Sequence, residues 1–504
     1  MFVRYLKNKN GRTYVQVVSK NTGRYKVIKS FGGAKDEKDL KGLTEKAHQW
    51  LKSTSGVMEF DFENEAALFQ NVLDHITSHK LVGIDLVLGK IFDEIGFNRI
   101  QDDLFRDLVL YRLVYPKSKL KTTEYLYRYA NKSHSEDDIY NYLDRLYSTQ
   151  KELVEQISYE YTLTVLEGQI NVVFYDVTTV YFKIDKEDEL RKTGFSKEGK
   201  HQNPQIVLGL LVSKNGYPLA YDIFEGNKFE GHTMLPLIDR FKEKYNLDQL
   251  VIVADSGLLS NQNVAALQEK NYEFILGARI KSESKSIKEK ILSLHLDNGQ
   301  SAVLKKGDLK LIITYSDNRA QKDRYNREKG LRRLEKRIRT GRLTKASINN
   351  RGYNKYLKLE GEMKVVIDQD KFRQDAKWDG LKGYLTNAKL NKNDILENYS
   401  HLWKIEKAFR IAKTDLKIRP VFHRKQNRIE AHICLVFVAY KIYKELERQL
   451  KEKEADLSAE KVIEIVQSIY QIEITTPITK EKITKTLLLT PEHRRVNELF
   501  DFGC

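Results

Sequence analysis

The sequence predicts an α/β protein: a mixed sheet flanked by helices, interrupted by a β-rich insertion and preceded by a small β-module and a helical region. Three observations predict it. Apolar and polar side chains alternate over residues 2–32, the period lengthens to helical spacing from about 35 to 165, and short strand-like and helical runs alternate between about 170 and 280. At 504 residues the chain is too long for one core and is expected to form roughly three domains.

Residues 1–50 read as a small β-rich module, with "NTG" as the turn inside "YVQVVSKNTGRYKVIKSFG". Residues 51–168 read as helical from "LVLGKIFDEIGF" and "DLFRDLVLYRLVYP", with "PKSK" at 116–119 as punctuation. This region is a candidate for DNA-end binding or dimerisation, and equally for plain scaffold. Strands follow at 171–182, 205–213 and 217–224, then a helix at 232–244, a strand at 250–255, a helix capped by Ser260 and a strand at 273–277. Three strands, then helix, strand, helix, strand is the order of a ribonuclease H-like sheet, assigned to 169–280 and 376–450. The insertion, 281–375, holds the strand-like runs "LKLIITY" and "GEMKVVID" around a very basic stretch, 319–345, which reads as one long helix interrupted near Gly330 and Gly341. Long helices are expected at about 393–416 and 427–450, then a tail, 451–504, with a helix near 459–472.

A formal charge of +17 calls for a polyanionic partner. The apolar runs "ICLVFVAY" and "QIVLGLLV" are far shorter than the roughly 20 residues of a membrane span. The amino terminus has no secretory pattern. Cys434 and Cys504 show no metal or disulfide spacing. The expectation is a cytoplasmic protein facing nucleic acid, with Arg332, Arg333, Lys336 and Arg337 of the basic stretch tracking phosphates. The bland alternative for that stretch is a solvated helix face.

Three acids stand in unusual company. In "NVVFYDVTTVYF", strand alternation puts Asp176 on the face of Val172, Phe174, Thr178 and Phe182, where an unpaired carboxylate would cost several kcal/mol. In "VIVADSGLLS" an apolar run ends at Asp255, where α/β sheets bind ligands, although a lone "DSG" is also a common turn. In "YSHLWKIEKAFRIAK" a step of seven aligns Tyr399, Glu406 and Lys413, with Arg410 one turn from Glu406. The bland reading of that helix is a surface ion pair between Glu406 and Arg410. Three carboxylates without His or Cys form a hard oxygen donor set, suited to Mg²⁺ or Mn²⁺ rather than zinc. Two such ions would support in-line phosphodiester displacement, with Glu406 a metal ligand and Tyr399, Arg410 and Lys413 holding phosphates.

These residues resemble the DDE transposases of bacterial insertion sequences, in the branch whose glutamate lies in a Tyr-x2-Arg-x3-Glu-x6-Lys signature. Tyr399, Glu406 and Lys413 match it, as do the blocks at 194–227, 251–281, 378–387 and 405–437. The resemblance implies that Asp176, Asp255 and Glu406 form the catalytic metal-binding triad and that Tyr399 and Lys413 touch the transposon end. It further implies a homodimer synapsed on terminal inverted repeats, which cuts donor double-stranded DNA and joins the 3′-hydroxyl to target DNA. One position departs from it: Leu402 stands where the signature has Arg, so Arg410 or a residue of the basic insertion would have to substitute.

Two alternatives keep this fold: a catalytically silent or domesticated DNA-binding protein, and a host nuclease that only hydrolyses. A glycosidase pair would leave the third acid unexplained. No phosphate-binding GxxxxGK[ST] loop occurs.

Overall fold

The computed structural model describes residues 1–8, 11–21, 23–55, 70, 72–183, 186–196, 199–349, 351–361, 364–419, 421–476 and 479–503. Thr22 of the expected turn, Glu362 and Met363 of the expected strand "GEMKVVID", and Cys504 lie outside them. The chain divides into two units, one of Met1–His79 with Ile472–Lys485 and one of Lys80–Gln471 with Thr486–Cys504.

In the first unit, β1 (Phe2–Lys7), β2 (Thr13–Asn21) and β3 (Arg24–Ala34) form an antiparallel sheet in that order. The helix Glu37–Ser55 repeats apolar residues at Leu40, Leu43, Ala47 and Trp50, which is helical spacing, and lays that stripe on Val15 and Val17. Strand β4 (Ile76–Leu81) falls where the sequence reads as helical. Its pairing partners are close to 400 residues away: the Thr77 hydroxyl donates to the Glu473 carbonyl at 3.2 Å.

The second unit is built on an eight-stranded sheet. Its first five strands are β5 (Val172–Tyr181), β6 (Gln205–Ser213), β7 (Pro218–Glu225), β8 (Val251–Ala254) and β9 (Glu273–Ala278). They stand in the order β9-β8-β5-β6-β7, antiparallel across β5, β6 and β7 and parallel across β5, β8 and β9. The order of these elements along the chain is the ribonuclease H-like one read from the sequence. The stretch 281–375 supplies β10 (Ser301–Lys306) and β11 (Leu309–Tyr315), which continue the same sheet beyond β9, and a separate hairpin of β12 (Leu357–Glu360) and β13 (Lys364–Ile367). β14 (Leu381–Thr386) joins β11 to β9, both pairings antiparallel.

The period-two alternation sorts side chains onto two faces. Val173, Tyr175, Val177, Ile252, Ala254, Phe274 and Leu276 pack with the helix Met234–Tyr245. Phe174, Val180, Phe182, Val253 and Ile275 pack on the other side with the helices Asp103–Val114, Trp403–Thr414 and Gln426–Glu452. A fully buried Leu or Phe in such a core contributes about 1.5–3 kcal/mol, so both helical layers are held firmly on the sheet.

Besides β4, three elements differ from the sequence reading. The basic helix, Asp317–Arg339, runs through Gly330 without interruption. That glycine is there for close packing, because a Cβ would fall inside the Tyr353 ring. The helix ends before Gly341, whose φ is +63°. The single helix expected at 393–416 is two, Lys392–Ser400 and Trp403–Thr414, parted at His401 and Leu402. Finally, the helix near 459–472 stops at Ile465, a short 3-10 turn follows, and β15 (Tyr470–Thr475) and β16 (Lys482–Leu487) form a sheet with β4 in the order β16-β15-β4.

Candidate active site

Register brings the first two acids together. Tyr175 of β5 pairs with Ala254, the last residue of β8, in parallel, so the next residues along, Asp176 on β5 and Asp255 at the mouth of the following turn, come off the sheet side by side, about 5 Å apart at their backbones. Alternation then puts both on the face shared by Phe174 and Val253, the face covered by the Glu406 helix. That helix buries Ile405, Ala408, Phe409 and Ile411 against the sheet and leaves Glu406 and Arg410 exposed, with Lys413 half-buried. Trp403, 54% exposed, shares the outer stripe with Glu406. This helix makes an ion pair with its neighbour from Lys407 to Glu447, and among the described residues none is found between Glu406 and Arg410.

The Asp255 loop is held by its surroundings. An Asp255 carboxylate oxygen accepts a hydrogen bond from the Gly257 N–H at 2.7 Å, so the turn-forming role weighed for "DSG" is real. The Arg279 guanidinium donates to the carbonyls of Ser256 and Gly257 at 2.8 and 3.1 Å, clamping the turn from outside. On β5, an Asp176 oxygen accepts from the Val177 N–H at 2.7 Å.

Tyr399 lies beneath this surface, 7% exposed. Because the chain breaks after Ser400, Tyr399 sits on a different helix from Glu406, and its ring stacks edge-on against Tyr384 with centroids 4.6 Å apart. Its hydroxyl approaches the sheet at Gly277, where a Cβ would stand 2.5 Å from it and 2.8 Å from the Ser256 nitrogen. Burial raises the phenol's pKa, and the charges of Asp255, Tyr384 and Glu406 raise it further, so Tyr399 stays neutral between the two carboxylates. Leu402, 7% exposed, is packed in the core and offers nothing to a phosphate.

Two cations that sequence reading missed complete the site. The Lys382 ammonium lies over the Tyr399 ring, 4.6 Å from its centroid. Burial lowers its pKa, the positive charge of Arg319 lowers it further, and Glu406 opposes both. Arg319, at the start of the basic helix, also acts on Tyr399. Both line a cleft of about 530 Å³ with Arg279, Lys281 and Lys355. The sequence signals for them were coarse: Arg319 opens the basic stretch 319–345, and Lys382 lies in the block 378–387. Farther along the basic helix, Arg332, Arg333, Lys336 and Arg337 are exposed, while Leu334 packs with Tyr356, Leu357 and Val365 in a small core of its own. A larger cavity, about 960 Å³, opens on the other flank of the Glu406 helix among Lys404, Lys407 and Lys444, and none of the three acids lines it.

The acids fit a hard divalent cation in chemistry, being oxygen donors throughout. Among the described residues no three His, Cys, Asp or Glu side chains converge closely enough to hold a metal ion by themselves. The arrangement is two adjacent carboxylates on the sheet with a third on the helix above. No helix among the described residues is long and apolar enough to cross a membrane.

Comparison with known proteins bears on this arrangement. A search of curated proteins finds no match. A solved piggyBac transposase synaptic complex with hairpin DNA is similar at 11% identity over 79% of each chain, with a TM-score of 0.37. Residues 167–442, which carry Asp176, Asp255 and Glu406, match the family described as "Transposase DDE domain". The chain, with more than half its length inside that match, belongs to the DDE-domain transposase family.

Proposed function

We propose that this protein is a DNA transposase of insertion-sequence type, which binds the terminal inverted repeats of its element, cleaves the donor double strand and joins the 3′-hydroxyl ends to target DNA. One observation carries the reading: Asp176 and Asp255 are adjacent on the sheet face covered by the Glu406 helix. Family membership supports the same reaction class.

Asp176, Asp255 and Glu406 would hold Mg²⁺, for which Mn²⁺ can substitute. Bound there, the metal would supply charge stabilisation for the attacking and leaving oxygens of an in-line displacement. The chain's own side chains do the rest. Arg410 and Lys413 share the stripe of Glu406, so a phosphate beside that carboxylate meets a charge-assisted donor. Arg319 and Lys382 serve the place that Leu402 vacates, reaching the acids from the cleft side. Buried Tyr399 acts as a positioning residue under the Asp255 turn instead of touching DNA itself. Arg332, Arg333, Lys336 and Arg337 give duplex DNA an exposed basic face. We further propose a homodimer in a synaptic complex, acting in the bacterial cytoplasm at the nucleoid.

The test uses labelled DNA carrying the sequences that flank the gene, with Mg²⁺ or Mn²⁺, and compares wild type with Glu406→Gln. Terminal nicking and joining by wild type, lost in Glu406→Gln while DNA binding persists, is the expected result. Binding without cleavage by wild type would leave a DNA-binding protein without catalysis, and cleavage without joining would make it a nuclease.

A further inference from the structure

The segment "PKSK" at 116–119 does more than end a helix. It forms one wall of a cavity of about 300 Å³, lined on the other side by Lys417, Arg419, Val421, Phe422, His423 and His432. Lys119, Arg112 and His432 line it at 6, 7 and 5% exposure. Among the described residues no hydrogen bond or ion pair reaches the Lys119 ammonium or the Arg112 guanidinium, and His432 Nδ1 has no partner either. Glu136, the one acid on the lining, accepts a hydrogen bond from Tyr140 instead. Asp144, next nearest, is engaged by Arg428 and Asn427.

Two largely buried cations beside one cavity without a counter-charge repel each other and favour an anion between them. Burial lowers the pKa of Arg112 to about 10 and that of Lys119 well below its ordinary value, with the two charges opposing each other at Lys119. The helix Lys119–Ala130 begins at the same wall, capped by Ser118, and its N-terminus adds a favourable dipole. A guanidinium fork, an ammonium and a helix N-terminus around one small cavity are the donors a tetrahedral oxyanion takes, while the neutral His432 ring, whose Nε2–H faces the Ile418 carbonyl, shapes the wall. Exposed Lys117 and Lys417 ring the mouth and leave it open to solvent.

We infer that this cavity is a phosphate-binding site, separate from the three acids, which takes a phosphate group either from the DNA backbone or from a free phosphate-bearing ligand. Its wall at Val421 bridges to Phe182, six residues beyond Asp176 on β5 and so about 20 Å along the strand. A phosphate held there would give a bound duplex an anchor separate from the candidate active site. The cavity does not rest on the transposase reading; only its DNA source does.

The full chain is melted in millimolar inorganic phosphate and in chloride of equal ionic strength, as wild type, Lys119→Met and Lys119→Arg. Phosphate is expected to raise the wild-type and Lys119→Arg midpoints by about 2 °C or more and to leave Lys119→Met unmoved. No phosphate-specific rise in wild type would overturn the site, whether or not Lys119→Met folds. The salt dependence of DNA binding then separates the sources. A slope reduced by about 0.9 in Lys119→Met, with phosphate competing against DNA, assigns the site to the DNA backbone. An unchanged slope beside a phosphate-specific rise assigns it to a free ligand, and this result would stand even if the protein proved not to be a transposase.

Discussion

Gly277→Ala tests whether Tyr399 and the Asp255 turn form one supported unit. Gly277 lies on β9 opposite Tyr384 of β14, on the face that carries the acids. An added Cβ would stand 2.5 Å from the Tyr399 hydroxyl and 2.8 Å from the Ser256 backbone nitrogen. Ordinary contact begins near 3.4 Å, so the tyrosine or the turn must give by most of an ångström. Retreat is blocked on both sides, since Tyr399 is packed against Tyr384 and under Lys382, and the turn is clamped by Arg279. Overpacking of this kind costs about 1–3 kcal/mol, and a displacement near 1 Å at a catalytic group costs about a hundredfold in rate.

The assay is metal-dependent nicking of a terminal repeat, with a urea melt alongside. Gly277→Ala is expected to lose about a hundredfold in nicking and 1–3 kcal/mol in stability, with DNA binding unchanged. Tyr399→Phe removes the hydroxyl and one of the two clashes. In a double-mutant cycle it should therefore recover part of the stability lost in Gly277→Ala, a coupling of about 0.5–1 kcal/mol or more. If Gly277→Ala nicks within twofold of wild type, Tyr399 does not support the Asp255 turn and the reasoning fails.

Lys382→Met should weaken nicking by about tenfold or more with little change in stability, because the half-buried ammonium acts on charge beside Glu406 and its stem can be replaced by an apolar one; single-turnover rates on a terminal repeat would show it. Neutralising Arg332, Arg333, Lys336 and Arg337 to Gln should lower the salt slope of DNA binding by up to about 0.9 for each phosphate left without its cation, and an unchanged slope would return that face to the solvated reading. At Asp375 burial works to raise the pKa, but hydrogen bonds from Lys281, Tyr356 and Lys355 hold it well below the ordinary value. Its stabilising effect is therefore complete above the unfolded pKa of about 4 and is lost as the pH falls through the lower folded value. Asp375→Asn should cost about 2–3 kcal/mol at neutral pH in urea unfolding, with the difference from wild type shrinking in acid.

What was legible in the sequence depended on how local its cause was. The order of strands and helices from β5 to β9 follows from apolar runs a few residues long, and the Ser260 cap from one hydroxyl placed before a helical run, accepting the Asn263 N–H at 3.0 Å. The adjacency of Asp176, midway along β5, and Asp255, just past the end of β8, was not readable, because it comes from the pairing of two strands far apart in sequence. Strand β4 was not readable, because "ITSHKL" is polar and becomes a strand only by pairing with β15. Gly330 misled for a related reason: a glycine inside a helical pattern reads as a break, while only the distant Tyr353 ring explains it as close packing.

The Tyr399–Glu406–Lys413 stripe shows where periodicity alone stops. A step of seven fits one face only while the helix is continuous, and the break at His401 and Leu402 turns Tyr399 inward to the sheet while Glu406 and Lys413 stay on the outer helix. Leu402 is the residue that makes the break useful: being apolar, it packs into the core at the junction, where a buried guanidinium would demand a partner. The phosphate contact absent there then has to come from elsewhere in sequence, and two cations on the Tyr399 side of the site are Arg319 and Lys382, carried in by the basic helix and by β14. Leu402→Arg therefore should not restore a signature arginine. It should bury an uncompensated charge at a cost of about 3 kcal/mol or more, lowering the melting midpoint without raising nicking. A gain in nicking from Leu402→Arg would instead mean that position 402 faces the DNA in the working complex.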